Sequence, residues 1–198
     1  MGTTAMKLAI IGTAGRLEDG KKLDLAKWND MKRTIAAFVK EHSIRHVVSG
    51  GAAYADHLAV GLYLAGLVDH LDLMLPCEFD MNKVQFHDTG EYSSFTNPGG
   101  TSNFYHRHFS ARVGIKSLTQ IEAAIAKGAT VHIEGGFKSR NSLVAKADMM
   151  IAFTFGNGAQ VKDGGTSDTL KKYLDNGGKD AYHVDLNDMS LHTPALLP

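Results

Sequence analysis

Three short apolar runs in this chain end in a glycine turn and then open into a helical pattern, which restricts its folds severely. The turns are Gly12-Thr13-Ala14-Gly15, Ser49-Gly50-Gly51-Ala52 and Gly164-Gly165-Thr166. A strand that feeds a bare-backbone turn leaves several N–H groups unpaired where the next helix starts. The helix dipole adds partial positive charge there, so phosphate or another anion is favoured. Loop geometry alone accounts for one such turn. Three at the same predicted strand edge point to a nucleotide-like ligand.

The rest of the chain keeps the same alternation. Leu8–Ile11, His46–Val48, Leu71–Leu75, Thr130–Ile133, Met149–Phe155 and Tyr182–Leu186 read as strands. Trp28, Met31, Ile35, Phe38 and Val39 recur at helical spacing, which predicts an amphipathic helix from Asp24 to His42. Further helices are expected over 52–65, 117–127, 139–146 and 166–176. Strands alternating with helices imply an α/β, Rossmann-like, mostly parallel sheet with helices on both faces. Ligands of such sheets sit beyond the carboxyl ends of the strands, where the strand order reverses.

The alternation breaks between Cys77 and about Gly114. This aromatic-rich insertion holds Phe79, Phe86, Tyr92, Phe95, Phe104, Tyr105 and Phe109 beside His87, His106 and His108. Pro98-Gly99-Gly100-Thr101 reads as a sharp turn inside it. Residues 1–188 are thus expected to form one nucleotide-binding domain with an insertion over 77–114, and residues 189–198 a surface tail.

Composition narrows the classes. With 198 residues, 43% of them apolar, the chain can build a core. Its formal charge of zero argues against nucleic-acid binding driven by phosphate neutralisation. Cys77 is the sole cysteine, so no internal disulfide or cysteine-based zinc cluster forms. Met6–Ile11 is too short an apolar run for a signal peptide, and no stretch reaches bilayer length. A cytoplasmic protein with no membrane partner is expected.

Four groups of residues can carry chemistry. Ser49-Gly50-Gly51 lets a backbone approach a ligand closely, with the Ser49 hydroxyl as donor and Asp56 on the following helix. Its structural counterpart is a tight strand–helix turn with a backbone-bonded Asp56. Gly164-Gly165-Thr166-Ser167 repeats the logic, although capping alone accounts for both hydroxyls. Arg140, beside Asn141, has the planar fork to clamp a phosphate or carboxylate. His106-Arg107-His108 lacks metal-site spacing, so no metal and no cofactor is expected; packing suits it better, with ligand contact through His106 or Arg107 left open. Phe79, Phe104 and Tyr105 can stack on a base or fill the insertion's core.

Together these motifs resemble the SLOG superfamily, the Rossmann-like group containing the SMF/DprA and LOG proteins, and within it the YpsA/YspA branch. The resemblance rests on Ile11-Gly12-Thr13-Ala14-Gly15-Arg16, on Ser49-Gly50-Gly51-Ala52 with Asp56, and on Arg140-Asn141 running into Ala147-Asp148. It ends at Gly164-Gly165-Thr166 and Thr169 and covers residues 6 to about 186 outside the insertion. It implies binding of a nucleotide or nucleotide-derived molecule, ADP-ribose-like signals included, by a sensor or sequestering protein. Homo-oligomers are a habit of the superfamily.

LOG members are phosphoribohydrolases that release a base from a nucleoside monophosphate with an arginine and a glutamate. Arg140 falls at the arginine's place, but Thr169 stands where the glutamate is expected, with Asp168 one residue earlier. The proline before the LOG glycines is also absent, with Lys162-Asp163 in its neighbourhood. Two readings follow. In the first, Gly12, Thr13, Ala14, Gly15 and Arg16, with Ser49, Gly50 and Gly51, hold phosphate and ribose. Gly164, Gly165, Thr166 and Ser167 complete the cradle, while Arg140 and Asn141 neutralise and orient. In the alternative the chain is a nucleoside 5'-monophosphate N-glycosidase or transferase. Arg140 then works with an acid drawn from Asp56, Glu134 or Asp168.

Overall fold

The computed structural model describes residues 5–162 and 164–195; Asp163 and the last residues of the expected tail lie outside the described residues. In chain order the strands are β1 (Lys7–Gly12), β2 (His46–Ser49), β3 (His70–Leu75), β4 (Phe79–Asp80), β5 (Gln85–Phe86), β6 (Thr130–Ile133), β7 (Met149–Thr154), β8 (Asp180–Asp185) and β9 (Ser190–His192). The helices are α1 (Glu18–Lys22), α2 (Leu25–Glu41), α3 (His57–Leu64), α4 (Pro98–Val113), α5 (Ser117–Lys127), α6 (Phe137–Val144) and α7 (Gly165–Asp175).

Seven strands form one sheet in the order β6-β3-β2-β1-β7-β8-β9. Every neighbouring pair is parallel except β8 and β9. The fold is therefore α/β and Rossmann-like. From β1 the chain builds outward through β2, β3 and β6, then returns to the other side of β1 with β7 and β8. The strand order reverses between β1 and β7, the place where such sheets open a crevice.

Period-two alternation sends successive side chains of these central strands into two cores. Leu8 and Ile10 of β1, with Ile151 and Phe153 of β7, join a core built with α2, α3, α4 and α5. Ala9 and Ile11, with Met150 and Ala152, pack on the other face against Val144, Ala145, Leu170 and Tyr173 from the α6 and α7 region. Burial on both faces is why Met149–Thr154 reads as an unbroken apolar run. Each fully buried Leu or Ile contributes roughly 2 kcal/mol.

Helix α2 follows its sequence closely. Asp24 caps it, its carboxylate accepting from the Lys27 N–H at 2.9 Å, and Trp28, Met31, Ile35, Phe38 and Val39 face the core. Other segments depart from the expected pattern. The helix anticipated over 52–65 is a 3-10 turn at Tyr54–Asp56 leading into α3. The tail after Asp188 is not simply a surface segment: Ser190–His192 pair antiparallel with β8 and close that sheet edge.

The insertion has regular structure of its own. Strands β4 and β5 make a two-stranded hairpin, and α4 is a 16-residue helix. Pro98, expected in a sharp turn, occupies the first turn of α4, where its missing N–H has no cost. Asn97 caps the helix by accepting from the Gly100 N–H at 2.9 Å. Phe86 and Phe109 are fully buried, whereas Tyr92, Phe95 and Phe104 face outward.

Candidate functional site

Above the β1–β7 reversal lies a cleft of about 600 Å³. All three glycine turns reach it: Gly12, Thr13, Ala14 and Arg16 from the first, Gly50 and Ala52 from the second, Gly164, Gly165 and Thr166 from the third. Asp56, Arg140, Asn141, Asp168 and Thr169 share its wall. Tyr105 reaches the same cleft from the insertion.

The first turn is fixed by its own backbone and by Thr13. Gly12 has φ +150, and a Cβ there would lie 2.7 Å from the Ala55 Cβ, so the strand end and the 3-10 turn touch without intervening side chains. The Thr13 N–H donates to the Phe153 carbonyl at 2.9 Å, tying the end of β1 to β7. The Thr13 hydroxyl donates to Asp19 Oδ2 at 3.1 Å and accepts from the Gly15 N–H at 3.1 Å. Lys162 Nζ meets Asp19 Oδ1 at 2.6 Å across the cleft.

Lys162 is in turn held from below. His183 Nδ1 lies 2.7 Å from the Gly158 carbonyl, which only accepts, so that nitrogen carries the proton. His183 Nε2 then accepts from the Thr154 hydroxyl at 2.8 Å, and Thr154 Oγ1 accepts from the Lys162 N–H at 3.2 Å. Burial pushes the His183 imidazole down, in keeping with this neutral form.

The second turn brings backbone, acid and arginine together. A Cβ on Gly50 would collide with Arg140 Nη1 and lie 2.7 Å from Asp56 Oδ2, so both buried side chains would have to shift to admit it. Arg140 Nη1 donates to the Gly50 carbonyl and lies 3.5 Å from Asp56 Oδ2. Burial drives the Asp56 carboxyl upward, against the Arg140 charge and the N–H groups of Ala52 and Gly50. Burial also drives the Arg140 guanidinium downward; Asp56 opposes this and Arg16 adds to it. Arg140 is 9% exposed, and among the described residues its solvent-inaccessible Nε has no hydrogen-bond partner.

Ser49 and Gly51 sit behind this turn rather than in the cleft lining. Ser49 is fully buried; its hydroxyl donates to the Asp56 carbonyl at 2.9 Å and accepts from the Gly51 N–H at 3.1 Å. The side chain expected to meet ligand therefore shapes the loop. His106, also fully buried, lies with Nε2 3.0 Å from the Gly51 carbonyl and Nδ1 3.0 Å from Ser117 Oγ. Burial pushes its imidazole down to about 3. Packing is thus the role of His106, which braces the glycine turn, while Arg107 points to Gln85 at 3.2 Å.

At the third turn, α7 begins at Gly165 and α6 at Phe137, neither with a side-chain cap among the described residues. First-turn N–H groups at a helix start attract anions. Asp168 Oδ2 accepts from Asn141 Nδ2 at 3.2 Å and pairs with Lys172 Nζ at 3.0 Å. Burial raises its carboxyl, but Lys172 and Asn141 outweigh burial and the net shift is downward. The Thr169 hydroxyl donates to the Gly165 carbonyl at 2.8 Å, which leaves it a local backbone role.

Not every expected residue reaches the cleft. Gly15 and Ser167 are outside its lining. Glu134 follows β6 at the far edge of the sheet, its N–H donating to the Leu75 carbonyl, and it too lies outside the lining. Conversely, Asp19, Lys138, Thr154 and Lys162 line the cleft although none was expected as a ligand contact. Lys162 had a usable signal, its position two residues before the Gly164-Gly165 pair. Asp19 had none, because it sits on the short helix α1, which the apolar pattern does not reveal.

No helix among the described residues is long and apolar enough to cross a membrane. No protein-family model matches the chain. It is 35% identical over 179 residues to the uncharacterized protein R261 of Acanthamoeba polyphaga mimivirus, a match spanning 86% of this chain and 92% of the viral one. The chain therefore belongs to the same family as that mimivirus protein.

Proposed function

We propose that this chain binds a nucleotide or nucleotide-derived molecule in the β1–β7 cleft, as a SLOG-type sensor or sequestering protein. The observation that carries the reading is the convergence of all three glycine turns and the buried Arg140 on one cleft. Phosphate oxygens would be met by the guanidinium, by the first turns of α6 and α7, and by Lys162. The test is native mass spectrometry after incubation with nucleoside mono- and diphosphates. Retention of intact ligand by the wild type, lost in Arg140→Ala, is expected; no retained ligand across the panel contradicts the reading.

One observation favours the glycosidase alternative. Asp56 lines the cleft beside Arg140, and burial raises its carboxyl, the direction a proton donor to a leaving base requires. Glu134 has no place in that step, and Asp168 is held ionised by Lys172 and Asn141. Chromatography of the same incubations distinguishes the two. Free base that disappears in Asp56→Asn, while phosphate binding survives, establishes cleavage; intact nucleotide throughout leaves a binder.

A further inference from the structure

The cleft does not end at Tyr105. A second cavity of about 550 Å³ adjoins it, and Arg16, Ser94, Thr101 and Tyr105 line both. Each cavity alone lies in the range of roughly 300–1,000 Å³ that a small-molecule site occupies. Two sites with a common wall suit one ligand made of two parts.

The annex differs in chemistry from the cleft. Its walls come from the insertion: the outward-facing rings of Tyr92 and Phe104, and the carboxylates of Asp88 and Glu91. Phe104 is held edge-on by Tyr105, with ring centres 5.2 Å apart, and lies against His108 at 4.4 Å. Exposed aromatic rings supported in this way cost solvation and return it when a planar group covers them. Asp88 is oriented by the Gly90 N–H at 2.8 Å and Asn97 Nδ2 at 2.7 Å. Carboxylates accept hydrogen bonds when ionised, so they favour a ring that carries N–H donors.

Arg16 stands at the junction. Its guanidinium lies 5.2 Å from the Tyr105 ring centre, a cation–π arrangement that holds the charge between the two cavities. The anion-seeking groups thus lie in the cleft, a cation at the divide, and aromatic and acidic groups in the annex.

Building on the nucleotide-binding reading, we propose that the ligand is of dinucleotide size. One nucleotide lies in the cleft, its phosphate linkage passes Arg16, and a second N–H-bearing aromatic ring lies in the annex between Tyr92, Phe104 and Glu91.

Isothermal titration of the full chain with AMP, ADP, diadenosine diphosphate and NAD tests this. Diadenosine diphosphate or NAD should bind at least tenfold more tightly than ADP. Phe104→Ala and Tyr92→Ala should each remove about tenfold of the two-base affinity and leave ADP affinity unchanged. Glu91→Gln should weaken the two-base probes alone. Equal affinity for ADP and both two-base probes overturns the proposal, as do annex variants that change nothing or change ADP and two-base binding alike. Binding of AMP and ADP without the two-base advantage leaves the nucleotide reading standing and removes this one. Failure of all four probes removes both.

Discussion

A single methyl group on Gly50 would push Arg140 away from the Gly50 carbonyl and crowd Asp56, since its Cβ would stand 2.7 Å from Asp56 Oδ2. Overpacking of this kind costs roughly 1–3 kcal/mol. Gly50→Ala should therefore lower the melting temperature by several degrees and weaken nucleotide binding about tenfold. Calorimetry and a thermal melt on the same sample check both effects. The buried histidines behave differently. Burial pushes His57 down to about 4 and His106 down to about 3, so both are neutral in the folded protein. Unfolded, each takes up a proton near pH 6.5, so the unfolded chain binds more protons below that pH. Their contribution to stability is whole above pH ~6.5 and is lost progressively toward pH ~4. His57 alone accounts for on the order of 3 kcal/mol. Thermal melts from pH 7.5 to 4.5 should show this fall, and His57→Leu should reduce its slope by about one proton.

Among the elements, the insertion shows how a polar side chain can substitute for sheet pairing. Asn103 of α4, fully buried, accepts from the Phe86 N–H at 2.9 Å and donates to the Phe86 carbonyl at 2.9 Å. Asn103→Ala leaves both backbone groups of a buried residue unpaired, at a cost of about 2–3 kcal/mol. Urea denaturation should show that loss, with hydrogen exchange rising first over β4, β5 and α4. These same elements were the least legible in the sequence. The central strands are buried on both faces and α2 has one apolar stripe, so their patterns announce them. Helix α4 instead carries Phe109 and Val113 inward and Phe104 outward, with glycines in its first turn, so no periodicity stands out. Glycines directly after Pro98 favour a turn, so the start of α4 at Asn97 is not evident from the sequence.

For the molecule as a whole, the reversal between β1 and β7 gathers segments that are more than 150 residues apart in sequence, Gly12 and Gly164 among them. Chain order alone indicated that the glycine turns share one edge. It did not indicate that the Ser49 hydroxyl would be consumed by its own turn, or that Lys162 would cross to Asp19. Such pairings are set by three-dimensional packing between elements, which a linear pattern does not encode. What the packed molecule presents is a cleft with a buried arginine at its wall. The most direct measurement is the affinity of the wild type, Arg140→Ala, Arg140→Lys and the surface control Lys32→Ala for ADP by titration calorimetry, with circular dichroism confirming that each is folded. Wild type and Lys32→Ala should bind with equal affinity, Arg140→Lys about tenfold more weakly, and Arg140→Ala at least a hundredfold more weakly. Equal binding by all four folded proteins, or by none, would contradict the account.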